Sequence, residues 1–328
     1  MKTKFFTLTI LAFTFFACQT DNDVISIEES ALKEIPAKQP SFVDLGNTEQ
    51  SISTNSNSEY LAKSSETRKV AIYMAEYITA GDSGELGNVV FFMDNGNKQL
   101  DADFVPGWAI DGTDNISYYV DDNRPSEDLP VSVSNNAIDR AMNTWDGVTC
   151  SDIGMFERPF NKDFDPGFVA RTLSDIIFNQ YGIEDYFGGS YDYFADVTHV
   201  GWMDGLFFDF IAENGSQYIL GVTFTIIWVG QDADNNGKDD VAWREIYYND
   251  AFTWDDGATF DVETIALHEA GHGLSQAHFG KAFGTYANQK IHFAPRSVMN
   301  ATYTGVQTSI EKTDKAGHCS NWAQWPHN

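Results

Sequence analysis

The chain has 328 residues, 42% of them apolar and 14% aromatic, which suffices for a large packed domain and excludes a wholly disordered chain. Forty-eight acidic residues against 20 basic ones give a formal net charge of −28. That balance excludes nucleic-acid binding, which needs Lys and Arg to neutralise phosphates, and it suits an exported, soluble protein that binds cations. Most of the carboxylates are read as solvated surface.

The N-terminus, "MKTKFFTLTILAFTFFACQTDND", carries two lysines, an apolar run from Phe5 to Ala17, and then Cys18. The run is too short to span a bilayer and has the pattern of a signal peptide. Cys18 directly after "FFA" resembles a bacterial lipoprotein cleavage site. The resemblance implies removal of residues 1–17 and membrane attachment through a lipidated Cys18. The acidic "QTDND" is similar to surface-export signals of some Bacteroidetes lipoproteins, so the expected location is the outer membrane or cell surface. An ordinary signal peptide cut elsewhere is the alternative. With Cys18 acylated, Cys150 and Cys319 are left as candidates for a disulfide in an oxidising compartment.

Residues 18–68 are rich in Ser, Asn, Thr and Glu and read as a flexible tether or short pro-segment. From residue 69 to 328 the pattern is that of a folded α+β domain. Strands are expected at 69–78, 88–94, 116–121, 196–203, 218–229 and 241–249. Helices are expected at 134–148, opening on a Ser/Asn cap, and at 167–182, ending at Gly182. A third helix follows Asp261, which can cap it, and Glu263 favours its positive end.

That third helix carries "DVETIALHEAGHGLSQAH", with three of the chain's seven histidines at His268, His272 and His278. Residues four apart share a helix face, so His268 and His272 can both reach one Zn²⁺ at about 2.0–2.1 Å. Glu269 stands beside that face as a candidate general base. His278 would lie about 9 Å further along a continuous helix. It joins only if the helix ends between them, and Gly273 is the residue expected to take the left-handed backbone there. Three histidines with one open position form a catalytic set, whereas structural zinc sites close with four protein ligands.

"HEAGHGLSQAH" resembles the extended zinc signature of the metzincin metallopeptidases, and "RSVMNATY" (296–303) is similar to their Met-turn. The resemblance implies a twisted mixed sheet with two or three helices, a loop-rich C-terminal subdomain, and Met299 beneath the zinc site. It is closest to matrixins, in which an edge strand, here 244–249, pairs with the substrate backbone. One departure is Ser275, which stands where the family has glycine; the helix end is then expected at Gly273, with His292 as the substitute for His278. A separate stretch, "DADNNGKDD", spaces Asp232, Asp234, Asn236, the Lys238 carbonyl and Asp240 like the start of an EF-hand loop and is a candidate Ca²⁺ site, with an acidic hairpin turn as its alternative.

The resulting expectation is a monomeric, lipid-anchored zinc endopeptidase acting on proteins or peptides. Two alternatives stay open: a surface binding or adhesion protein with a non-catalytic zinc site, and a zinc amidase acting on cell-wall peptides.

Overall fold

Several of the apolar runs lack a polar face because the strands they form are buried on both sides, as in Ile219–Trp228 and Val241–Asn249. The computed structural model describes residues 32–53, 67–93, 102–108, 113–284 and 290–326. Cys18 and the expected export signal lie outside these residues. In chain order the elements are β1 (Lys33–Ile35), β2 (Ser41–Phe42), β3 (Gln50–Ser53), β4 (Thr67–Thr79), β5 (Val89–Phe91), β6 (Ser117–Val120), α1 (Val131–Asp146), β7 (Phe156–Glu157) and α2 (Phe168–Tyr181). They continue with β8 (Val197–Met203), the short α3 (Gly205–Asp209), β9 (Ile219–Trp228), β10 (Val241–Asn249), α4 (Val262–Gly273), β11 (Lys281–Gly284), β12 (Ile291–Ala294) and α5 (Lys312–Trp322).

The chain is α+β. Its main sheet has the order β2-β5-β4-β9-β10-β8-β6-β7, with β3 paired to the first half of β4. Strands β4, β9 and β10 are antiparallel neighbours, whereas β10, β8, β6 and β7 run parallel. Helices α1 and α4 cover one face through Ile138, Met142, Trp145, Ile265 and Leu267. On the other face α2 and α3 contribute Phe168, Leu173, Phe207 and Phe208. Side chains alternate across a strand, and β9 sends Val222, Phe224 and Ile226 to the α2 face. Its residues Gly221, Thr223 and Thr225 face α4 instead, where small or hydroxyl side chains leave room for polar groups. Trp145, fully buried, ties α1 to α4 by donating its indole N–H to the Leu267 carbonyl at 2.8 Å.

Three expectations are corrected. Residues 33–53 are not a free tether: β1 pairs with β11, β2 with β5 and β3 with β4, and Ile35 packs on Leu86, Ala282 and Ile291. Backbone pairing and that apolar contact prevail over a polar composition. Strand β10, which contains 244–249, is no edge; β9 and β8 occupy both of its flanks, so its backbone groups are already used. Helix α1 begins at Val131, after Pro130 with φ −56°, and Ser134 bonds the Val131 carbonyl within the first turn at 3.0 Å. The ring-fixed φ of proline suits the residue at a helix start, so the helix opens ahead of the Ser/Asn cap.

Cys150 and Cys319 form a disulfide across a sequence separation of 169, joining the end of α1 to α5. Loop closure of that length restricts the unfolded chain strongly. Replacing both cysteines by alanine is expected to lower stability by about 3–5 kcal/mol in urea unfolding; an unchanged midpoint would show that the bond constrains little.

Candidate functional site

Helix α4 starts where Asp261 accepts from the Thr264 N–H at 2.9 Å, and it runs through Gly273. Its termination differs from the expected one. Gly273 is helical, and its lack of a side chain serves packing, because a Cβ there would stand 3.1 Å from a Val197 methyl. The left-handed residue is Ser275, φ +62°. Ser275 N–H donates to the His272 carbonyl at 2.9 Å and Gln276 N–H to that of Gly271 at 2.8 Å, the double bond pattern of a Schellman turn. A non-glycine residue in this conformation costs on the order of 1–2 kcal/mol.

This turn brings the third histidine in. His272 Nε2 lies 3.0 Å from His268 Nε2 and 3.2 Å from His278 Nε2. His292 is exposed on β12 and is not part of the group. The outward-facing nitrogens are engaged elsewhere: His268 Nδ1 bonds the Val298 carbonyl and His272 Nδ1 the Gln276 carbonyl, each at 2.7 Å. A carbonyl only accepts, so both Nδ1 atoms carry hydrogen and, in the neutral ring, both Nε2 atoms present lone pairs. Burial holds His268 and His278 well below the usual imidazole range, with the charge of His272 adding to it. For His272 burial also pulls downward, but Glu76, with Oε2 3.3 Å from Nδ1, and Glu269 outweigh it and leave the ring raised. Tetrahedral zinc at 2.0–2.1 Å separates its ligand atoms by roughly 3.3 Å, close to the spacing of these nitrogens. The donor set therefore fits Zn²⁺.

Glu269 is completely buried. Its carboxylate accepts from the Thr223 hydroxyl at 2.7 Å and from the Ile78 N–H at 3.3 Å. Gly221 makes room for it, since a Cβ there would meet Glu269 Cγ at 3.0 Å. Burial pushes the carboxyl up to about 7, partly offset by His272, the Thr223 hydroxyl and the Ile78 N–H.

Met299 lies directly against α4: a side chain at Gly271 would come within 2.3 Å of its sulfur. The turn around it is fixed by Asp314 at the start of α5, which accepts from the Ser297 hydroxyl, from Val298 N–H at 3.2 Å and from Met299 N–H at 3.2 Å. Phe279 N–H donates to the Met299 carbonyl at 2.8 Å, coupling this turn to the residue after His278. An open groove of about 880 Å³ reaches His278 and Met299, walled by Phe104, Trp322 and Trp325.

Glu76, Thr223, Arg244 and Asp314 escape sequence reasoning because each comes from an element remote in the chain. The one available signal is hydroxyl residues in an otherwise apolar strand, as in "GVTFT" (221–225). At the second candidate site Asp232, Asp234 and Asp240 do converge, with ligand atoms within 4.8 Å of one another. Asn236 spends its amide on Asp103 and Asp234, and the Lys238 ammonium pairs with Asp103 at 3.1 Å. Burial, then neighbouring Asp234, Asp103 and Asp232, push Asp240 up to about 6 against the Ala233 N–H. No family model matches the chain, and no curated protein matches it.

His199 lies apart from the cluster, with Nδ1 2.8 Å from the Tyr248 hydroxyl, and burial lowers its pKa to about 3. The unfolded imidazole takes up a proton below about pH 6.5, while the folded one stays neutral. Stability therefore falls as pH drops from about 6.5, by up to about 1.4 kcal/mol per pH unit from this residue. His199→Gln is expected to flatten that fall between pH 6.5 and 4 in urea titrations; parallel slopes for both proteins would contradict the assignment.

Proposed function

We propose that the chain is a zinc-dependent endopeptidase of the metzincin type, exported and anchored through Cys18. The observation that carries this reading is the convergence of His268, His272 and His278 through Nε2 while two of their Nδ1 atoms are bound to carbonyls, with Glu269 adjacent in sequence and buried beside them. The three histidines would hold Zn²⁺, which supplies Lewis acidity and a water of lowered pKa. Glu269 would take up a proton at its carboxylate and return it to the leaving amine. Thr223 and the Ile78 N–H hold the carboxylate from the sheet side. Met299 and Asp314 brace the floor and the His268 partner carbonyl at Val298.

Since both flanks of β10 are paired, the peptide would be seated instead in the groove that reaches His278. Asp232, Asp234 and Asp240 would hold Ca²⁺ and pin the loop ahead of β10.

A second reading, a surface binding protein with an inert zinc site, draws support from the complete burial of Glu269. A zinc amidase for cell-wall peptides uses the same chemistry. Zinc analysis with casein and cell-wall peptide assays separates the three. Glu269→Gln is expected to retain one zinc and lose casein cleavage by at least about a hundredfold, and His272→Ala to lose the metal. Zinc-replete wild type that cleaves neither substrate would favour the binding protein.

A further inference from the structure

We propose that Arg244 and Ser275 act as a positioning pair that sets the course of the chain from the second histidine of the cluster to the third, an inference that rests on the metal reading of that cluster. Arg244 rises from the middle of β10 and is completely buried. Its Nη1 donates to two acceptors, the His272 carbonyl at 2.6 Å and the Ser275 hydroxyl oxygen at 2.9 Å. The remainder of the guanidinium is fixed as well: Nε donates to Thr225 Oγ1 at 3.1 Å, Nη2 to the Ala102 carbonyl at 3.2 Å, and the group lies 5.4 Å from the Phe104 ring centre.

These contacts place a rigid planar cation at the carbonyl end of α4, where the helix dipole favours positive charge. They also explain why a serine can hold a left-handed position that glycine usually takes. Its hydroxyl meets a donor rooted in the sheet, so the strained turn is tied to the strand below. Two ligands depend on where that turn sits. The residue after it, Gln276, supplies the carbonyl that orients His272 through Nδ1 at 2.7 Å, and the chain then reaches His278 three residues beyond Ser275. Arg244 touches none of the three imidazoles in these contacts and acts on them through the backbone.

The test is zinc affinity, measured by competition with a chromophoric chelator, alongside the thermal midpoint of the metal-free protein. Arg244→Met and Ser275→Ala are each expected to weaken zinc binding about tenfold or more, the usual effect of losing an outer partner of a ligand. Ser275→Gly, which needs no brace for the left-handed turn, should stay within about threefold of the wild type. The Arg244→Met/Ser275→Ala double variant should bind zinc about as weakly as Arg244→Met alone, because both changes remove the same bond. If Arg244→Met fails to fold, the contrast between Ser275→Ala and Ser275→Gly decides. Wild-type zinc affinity in Arg244→Met and Ser275→Ala, with only the metal-free midpoint lowered, would reduce the pair to a structural brace and overturn the inference alone. A wild type that takes up no zinc would overturn the metal reading and the inference together.

Discussion

Three imidazoles bring their Nε2 atoms to 3.0–3.2 Å of one another in a largely buried cluster, where facing lone pairs repel unless a proton or a metal ion lies between them. The arrangement around the cluster serves that demand. Carbonyls of Val298 and Gln276 fix the ring orientations, and burial keeps His268 and His278 from charging. Met299 fills the space under Gly271, and Asp314 holds the Met299 turn by its N–H groups. Each contact belongs to a different part of the chain, so the cluster forms only when α4, α5 and the loop before α5 are all in place.

The sheet contributes by what it omits. On the face of β9 toward α4, Gly221 and Thr223 leave a niche that the Glu269 carboxylate fills. A buried carboxylate without partners would be expensive; here a hydroxyl and a backbone N–H receive it. The same logic operates at Glu245, whose carboxylate accepts from the Phe168 and Val169 N–H groups at 2.8 and 3.0 Å and so caps α2 from the sheet face that the helix covers. Acidic side chains thus serve inside this fold as well as on its surface.

Much of this was legible in the sequence wherever one local pattern decided the outcome. The six expected strands reappear as β4, β5, β6, β8, β9 and β10, the last to the residue, and α2 ends at Gly182 with φ +72° as its glycine implies. The four-residue spacing of His268 and His272 fixes their common face, and Cys150 and Cys319 meet. What escaped was decided by distant partners. Composition reads residues 33–53 as a tether, yet β4 and β11 recruit them. An apolar run such as β10 does not state its neighbours, so its interior position had to come from topology. At the end of α4 the glycine rule points to Gly273, whereas Arg244, 31 residues before Ser275, makes the serine workable. Glycines 271 and 273 answer to close packing against Met299 and Val197 rather than to backbone freedom.

The most direct measurement is zinc K-edge X-ray absorption on the protein loaded with one equivalent of Zn²⁺. The account predicts a four-coordinate ion with three imidazole nitrogens at about 2.0–2.1 Å and one further light atom from solvent. A shell with fewer than three imidazoles, a fourth ligand donated by the polypeptide, or a six-coordinate oxygen environment would contradict it.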